Sequence, residues 1–522
     1  MTTVLAILVG VAVLAAALRW FNPLPPLQSR IETHAFTDTG DTQLGRAVSP
    51  LVARHPGLTG VHLLDDAREA LAARLQLVRH AERSLDLLYY IWSHDISGSM
   101  LLDALRTAAD RGVRVRLLLD DNGITGLDDI LAAFDSRANF EVRLFNPFVI
   151  RRPKAIGYLL DFPRLNRRMH NKSFIADNQA MIVGGRNIAD AYFGAGQDAP
   201  FADLDVFGIG AAVAEVSADF DRYWASASAY PARDILPPSA PGRLETLQRA
   251  KATAPSAPLA SRYAEALDTS FITSLGIGWP TLEWATVTVM SDDPAKAFGK
   301  VGDSALLGSR LATAIGAPRS HLGLISAYFV PTAAGTRALT AIAARCADFQ
   351  VLTNSLRANN HMIVHAGYVQ CRKPLLAAGI RLWEMKGEDR HPEAWLKFGK
   401  RRAAVTSGTV LRSSGSALHA KAFTVDRQRL FVGSFNFDPR SLRLNTEMGL
   451  IIDSPALAGR VQDIFRESVA EIAYEVRLAG ERLEWIERTE AGDIVHRHEP
   501  GTGPLQRLLV SMLAHLPVKW LL

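Results

Sequence analysis

Apolar and polar residues change period along this chain in an order that occurs twice. Ser84-Leu-Asp-Leu-Leu-Tyr-Tyr-Ile-Trp92 is a near-continuous apolar run of strand length, Met100 to Ala109 places apolar residues at helical spacing, and Arg111-Gly-Val-Arg-Val-Arg-Leu-Leu-Leu-Asp120 is strand-like again. The succession returns at Leu322-Gly-Leu-Ile-Ser-Ala-Tyr-Phe-Val330, Gly335 to Arg345 and Phe349-Gln-Val-Leu-Thr353. A third strand follows in each case, Phe140-Glu-Val-Arg-Leu-Phe145 and Gly379-Ile-Arg-Leu-Trp383. Each strand, helix, strand unit has the size of a right-handed parallel crossover. The pattern predicts a duplicated α/β unit, with one half over 61–235 and the other over 303–475.

The remaining segments read differently. Residues 22–60 read as linker, and residues 236–302, with Pro237-Pro-Ser-Ala-Pro-Gly242 and the Ala-, Ser- and Pro-rich 252–261, as linker or insert. Ser291-Asp-Asp-Pro294 within it shows no usable period. At the start, every residue from Val4 to Leu18 is apolar or Gly. As a helix it rises only ~22 Å against a hydrocarbon core of ~30 Å, so residues 1–21 read as an uncleaved anchor, with a cleaved signal as the alternative. Arg19 and Arg30 follow the run and none precede it, which leans toward a cytoplasmic body. At the other end, in the extension 476–522, Leu505, Leu508, Leu509, Met512, Leu513 and Leu516 share a helical face before Pro517, with Lys519 and Trp520 beyond. That face suits either a membrane interface or docking on the body.

Composition adds little. With 522 residues, 48% apolar and 21% charged, the chain is an ordinary globular one with room for a large core. A net charge of +5 favours an anionic partner over a basic one but does not by itself imply nucleic acid. The two cysteines, Cys346 and Cys371, form no C-x-x-C pair, which indicates buried free thiols rather than disulfides or a metal site.

The candidate chemistry lies in a repeated motif, His-x-Lys-x4-Asp-x6-Gly-(Gly/Ser)-x-Asn, starting at His170 and at His419. Each copy opens in a strand-like stretch, where residues two apart share a face, so His170 is placed with Lys172 and His419 with Lys421. Such lysines can neutralise the equatorial oxygens of a pentacovalent phosphorus without transferring a proton. Asp177 and Asp426 begin turns and are candidates for either turn formation or catalysis. The glycines let backbone approach closely, and Asn187, Asn436 and Ser434 offer neutral donors to phosphate oxygens. The first copy has Gly185 where the second has Ser434, so the two sides are unequal.

Two copies with common offsets resemble the phospholipase D superfamily over residues 61–475. The resemblance implies two similar α/β/α halves sharing one active site, and a covalent mechanism without metal or other cofactor. One motif His attacks phosphorus and the other serves the leaving alcohol as acid. By that analogy His170 is the nucleophile and His419 the acid, with the reverse left open. It also implies a carboxylate behind each His: Glu447 after the second motif, and on the first side Asp203, with Asp198 and Asp205 as alternatives.

Within the superfamily, Asp161 to Lys172, Ser326-Ala-Tyr-Phe-Val-Pro331, Val364-His-Ala-Gly-Tyr368, Gly433-Ser-Phe-Asn-Phe-Asp-Pro-Arg440 and the C-terminal seven residues are similar to bacterial cardiolipin synthases of the C type. The resemblance implies a phosphatidyltransferase at the bacterial membrane, acting on phosphatidylglycerol with that lipid or phosphatidylethanolamine as donor, and no nucleic-acid partner. A phospholipase D releasing phosphatidic acid is the alternative, ahead of a nuclease or an inactive scaffold. Basic residues before each motif, Arg151, Arg152, Lys154, Arg164, Arg167 and Arg168, then Lys397, Lys400, Arg401 and Arg402, would suit an anionic lipid surface. Phe148, Ile150, Tyr158, Leu159 and Leu160 interleave with the first cluster.

Overall fold

Largely apolar runs such as Leu85–Tyr89 and Val115–Leu119, each interrupted only by a residue of the buried Asp86–Arg116 ion pair, suit strands covered on both faces. In the fold alternate residues do serve two different cores. The structure, a computed structural model, describes residues 17–195, 200–240, 242, 281–359, 361–387 and 418–516. Its first sheet holds β1 (Thr59–Leu64), β2 (Ser84–Ile91), β3 (Arg114–Gly123), β4 (Phe140–Phe145), β5 (Ser173–Ala176), β6 (Ala180–Gly184), β7 (Asp205–Gly210) and β8 (Ala229–Pro231). Its second holds β9 (Glu283–Ser291), β10 (His321–Ser326), β11 (Asp348–Asn354), β12 (Arg381–Met385), β13 (Lys421–Val425), β14 (Arg429–Gly433), β15 (Met448–Asp453), β16 (Ala473–Ala479), β17 (Arg482–Thr489) and β18 (Gly492–His496).

The strand orders repeat. The first sheet runs β8-β4-β3-β2-β5-β6-β7-β1 with β2, β3 and β4 mutually parallel. The second runs β16-β12-β11-β10-β13-β14-β15-β9 with β10, β11 and β12 parallel, and β17 and β18 extend it past β16. Outward-facing Leu85, Leu87, Val115 and Leu117 pack with Leu71, Leu101 and Leu105 of two covering helices. Leu322, Leu324 and Val351 do the same in the second half with Leu311, Leu339 and Tyr368. Inward-facing Leu88, Leu118, Ile175 and Val183 share a single core with Ile325, Leu352, Leu430 and Val432, so the halves meet across a continuous apolar layer.

Three stretches read as linker or extension contain more than that. Residues 22–60 include a helix, Gln43–Val52, capped by Thr42. Within 236–302, β9 pairs through Glu283–Ala285 with β1 and through Thr286–Ser291 with β15, joining the sheets edge to edge. The extension from 476 carries most of β16 and all of β17 and β18. β9 also shows a repeat hidden in Ser291-Asp-Asp-Pro294. It is followed by Asp292-Asp293 as β1 is followed by Asp65-Asp66, and the second aspartate of each pair caps the helix that comes next.

Asp177 and Asp426 sit at the hairpin ends of β5 and β13, with φ near 50°. The seven residues from His170 to Asp177 put roughly 20 Å of extended chain between them. Asp177 accepts from the backbone N–H of Arg83 and Ser84 at 2.8 and 2.9 Å, and Asp426 from those of Ser320 and His321 at 2.8 and 3.0 Å. Each aspartate thus clasps the start of its half's first parallel strand, and the catalytic option for both is corrected to a structural one. Asp177→Ala or Asp426→Ala is expected to lower unfolding free energy by about 1–3 kcal/mol while leaving turnover per folded molecule unchanged. Denaturant melts beside kinetics normalised to folded protein check this.

Candidate active site

Neither motif His lies inside its strand, as the sequence pattern had placed them. β5 starts at Ser173 and β13 at Lys421, and the residues just before are held by the opposite half. Met169 bridges Thr446, and Leu418 bridges Ala202. The His170 N–H donates to the Thr446 carbonyl at 2.9 Å, and the His419 N–H to that of Ala202 at 2.8 Å. Each bridge is clamped from the end of a parallel strand. Asp120 accepts from the Met169 N–H at 2.8 Å and pairs with buried Arg168 at 2.6 Å, while the Asn354 side chain both donates to and accepts from the Leu418 backbone at 2.9 Å. These clamps were not singled out from the sequence. Their signal is a polar residue following the apolar centre of a parallel strand, Leu117–Leu119 in β3 and Val351–Leu352 in β11.

The bridges set up crossed partners. His170 Nδ1 lies 2.7 Å from Oε2 of Glu447, which comes from the second half, and His419 Nδ1 lies 2.6 Å from Oδ2 of Asp203, from the first. A proton on Nδ1 aimed at a carboxylate leaves the Nε2 lone pair of each ring free for the site. Burial pushes both imidazoles down to about 4, leaving them neutral at physiological pH. Burial works to raise the two carboxylates, but His170 and Lys172 hold Glu447, and His419 and Lys421 hold Asp203, below the ordinary carboxylate range.

The inequality of Gly185 and Ser434 follows from the two acids. A Cβ at Gly185 would stand 2.1 Å from Asp203 Oδ1, so the Asp203 carboxyl occupies the space a serine would need. On the other side the buried Ser434 hydroxyl donates to Glu447 Oε2 and accepts from the Met448 N–H at 3.0 Å. That hydroxyl orients the acid, which corrects its expected role as a donor to phosphate. Asn187 is likewise engaged, donating to the Tyr192 hydroxyl at 2.8 Å and accepting from the Ile91 N–H at 3.1 Å. Asn436 accepts from the Tyr328 N–H at 3.3 Å.

Lys172 and Lys421 each donate to the carbonyl of their own motif His. Burial brings them down to about 7 and about 8, and each feels both Glu447 and Asp203, so the cations of the two motifs share one site. Aromatic rings complete it. Tyr90 meets His170 edge-on at 5.0 Å, Tyr192 meets His419 edge-on at 5.0 Å, and Phe201 stacks on His419 at 5.6 Å. Burial raises nearby Asp438 to about 7. Among the described residues no group of three or more His, Cys, Asp and Glu is disposed to hold a metal ion.

Other expected residues lie elsewhere. Asp205 pairs with Arg74 at 2.8 Å beneath the first motif, and Asp198 lies outside the described residues. The basic cluster before the first motif is largely internal: Arg151 and Lys154 bind Asp121, Arg164 binds Asp161, Arg168 binds Asp120, and Arg167 donates to the Lys296 and Arg443 carbonyls. Arg152 is exposed. These charges hold helix Lys154–Leu165 and the bridge, which corrects their reading as a lipid-facing patch. Lys397, Lys400, Arg401 and Arg402 lie outside the described residues.

Known proteins are similar to this chain throughout. The family described as cardiolipin synthase, PLD-like domain, matches residues 75–224 and 311–469. Cardiolipin synthase C of Escherichia coli K12 is 44% identical over 92% of this chain and 100% of its own length. Cardiolipin synthase A of Yersinia pseudotuberculosis is 24% identical over 90% of this chain and 80% of its own. The crystal structure of phosphatidylserine synthase from Haemophilus influenzae Rd KW20 covers 92% of this chain and 100% of its own with a TM-score of 0.54 at 14% identity, a likeness of fold. A family match on both halves around both histidines, together with a full-length relative, places the chain: it belongs to the cardiolipin synthases with phospholipase D-like domains and is a phosphatidyltransferase of that type.

Proposed function

We propose that the chain makes cardiolipin by moving a phosphatidyl group from a donor phospholipid to the hydroxyl of phosphatidylglycerol, through a phosphohistidine at His170. The observation that carries this reading is the crossed pair of His–carboxylate contacts around one site. In the first step His170 Nε2 bonds to phosphorus, the phosphorus–oxygen bond to the donor headgroup breaks, and His419 gives that oxygen its proton. In the second, His419 takes the proton of the phosphatidylglycerol hydroxyl as that oxygen bonds to phosphorus and the phosphorus–nitrogen bond breaks. Lys172 and Lys421 face the non-bridging oxygens throughout, with the Asn436 amide beside them.

Charge counting explains how a depressed His419 comes to hold a proton. With Lys172 and Lys421 protonated, two ammonium groups balance two carboxylates, so an arriving phosphodiester adds one negative charge, which proton uptake on a ring neutralises. The same lysines set the alkaline behaviour. A lysine is cationic below its pKa, so kcat/KM on a monomeric short-chain lipid is expected to fall as pH rises through about 7 to 8, the values to which burial brings Lys172 and Lys421. A profile flat to pH 10 would remove the lysines from this role.

Product analysis tests the reaction. Full-length protein in mixed micelles with labelled phosphatidylglycerol, with and without phosphatidylethanolamine, is expected to yield cardiolipin and the free headgroup alcohol. Phosphatidic acid as the sole product would overturn the reading in favour of hydrolysis. Comparing the two micelles identifies the donor.

A further inference from the structure

Each half carries an uncovered apolar element at the sheet edge that bears the site. In the second half Asn354 ends β11 and clamps Leu418 beside His419. Two residues on, Leu356 packs with Ala366 against Val510 of the C-terminal helix Pro504–His515. The approach to that helix is pinned by Glu499, ion-paired with buried Arg372 and 3.1 Å from His365, and by Arg357, which donates to the Gly501 carbonyl at 3.2 Å. The helix is thus fixed at the site edge through Val510, Leu513 and Ala514, and it turns Leu505, Leu508 and Met512 outward at 68%, 57% and 60% exposure.

The first half does the same with other residues. Asp120 near the end of β3 clamps Met169 beside His170, and the next two residues hold helix Lys154–Leu165: Asp121 pairs with Lys154, and Asn122 accepts from the Tyr158 hydroxyl at 3.0 Å. Leu159 of that helix is 83% exposed. Arg19, bound to Asp161 at 3.0 Å, brings Trp20 and Phe21 to the same helix, both more than three-quarters exposed.

We propose that these two elements form a membrane-docking rim around the mouth of the active site, entering the interfacial layer of a bilayer so that phospholipid passes to His170 and His419 without crossing water. The inference rests on the lipid reading of the site. Large apolar side chains gathered on a protein surface mark an interaction face, and an amphipathic helix with leucines on one side suits the headgroup boundary. The sequence leading into Trp20 points to the same occupant, because every residue from Val4 to Leu18 is apolar or Gly, and Arg19 directly after it binds Asp161 of the helix that carries Leu159. Among the described residues no helix is long and apolar enough to cross a membrane.

The test reads immersion directly. Both native cysteines are buried, so Leu159→Cys, Met512→Cys and, on the far side, Glu215→Cys can each carry a bimane probe on the full chain. With vesicles of phosphatidylglycerol and phosphatidylethanolamine, brominated acyl chains are expected to quench the probes at 159 and 512 at least about twofold and to leave the one at 215 unchanged. Leu508→Asp combined with Met512→Asp is expected to lower turnover of vesicle lipid by about tenfold or more, leaving turnover of monomeric dihexanoyl phosphatidylglycerol unaltered. Probes that brominated lipid does not quench, or a shift from dimer to monomer in the double variant with vesicle turnover intact, would overturn the docking rim. Quenching without any transfer from the dihexanoyl lipid would leave the rim standing and sink the reaction assignment.

Discussion

Replacing His170 with Ala is expected to reduce phosphatidyl transfer by about 10⁴-fold or more, and His419→Ala to do the same with a headgroup alcohol as leaving group. The two losses should not add. A nucleophile without its acid and an acid without its nucleophile each leave a site that only binds and neutralises phosphate, so the double variant should be no worse than the poorer single one. Both variants should keep their fold, because the bridges that carry the histidines are made by backbone and by Asp120 and Asn354 rather than by the imidazoles. Steady-state transfer in mixed micelles, with circular dichroism as the fold check, measures both points. Substantial residual transfer in either single variant would contradict a two-histidine mechanism.

The crossed carboxylates give the second large effect, and it separates the two halves. Glu447→Gln and Asp203→Asn remove the charge that holds each ring with its proton on Nδ1, and a wrong tautomer in such a pair costs up to about 10⁴-fold. They should fail at different steps. Asp203 contacts His419, the proposed leaving-group acid, so a substrate whose leaving group departs unprotonated, such as a p-nitrophenyl phosphodiester, is expected to restore most of the first step to Asp203→Asn. Glu447 contacts His170, the proposed nucleophile, so no leaving group should rescue Glu447→Gln. If each acid served the histidine of its own half, the rescue would appear in Glu447→Gln instead. A burst of p-nitrophenol in stopped flow distinguishes the two patterns.

The duplicated frame and the motif residues gathered at the candidate site were legible because they are local. Strand, helix and strand units leave their period in the chain, and the offsets from His to Asn hold within each motif. The partnership of the two sites was not local. Nothing in Phe201-Ala-Asp-Leu-Asp205 states that Asp203 faces a histidine 216 positions later, since that register is set by bridges between halves and by the core they share. The same limit misplaced the histidines in their strands, whose first residues pair with the other half. β9 was missed for another reason. Its Ala285 and Val287 are buried while Thr286 and Thr288 are exposed, an alternation present in the sequence but short and surrounded by polar chain. Asp177 and Asp426 match the motif as well as the histidines do, and only the turn at the hairpin end shows that they hold backbone. Likewise the basic residues before the first motif looked like a surface patch because their partners, Asp120, Asp121 and Asp161, lie on other elements or a turn away.

In the proposed reaction one site divides the labour, His170 carrying the phosphatidyl group and His419 moving the proton. Single-turnover reaction with phosphorus-labelled phosphatidylglycerol, quenched in alkali to preserve phosphohistidine and mapped by mass spectrometry, tests it most directly. Label is expected on His170 in the wild type, accumulating on His170 in Asp203→Asn given the p-nitrophenyl substrate, and on no histidine in Glu447→Gln. Label on His419, or cardiolipin formed in a single turnover with no labelled histidine at any time, would contradict it.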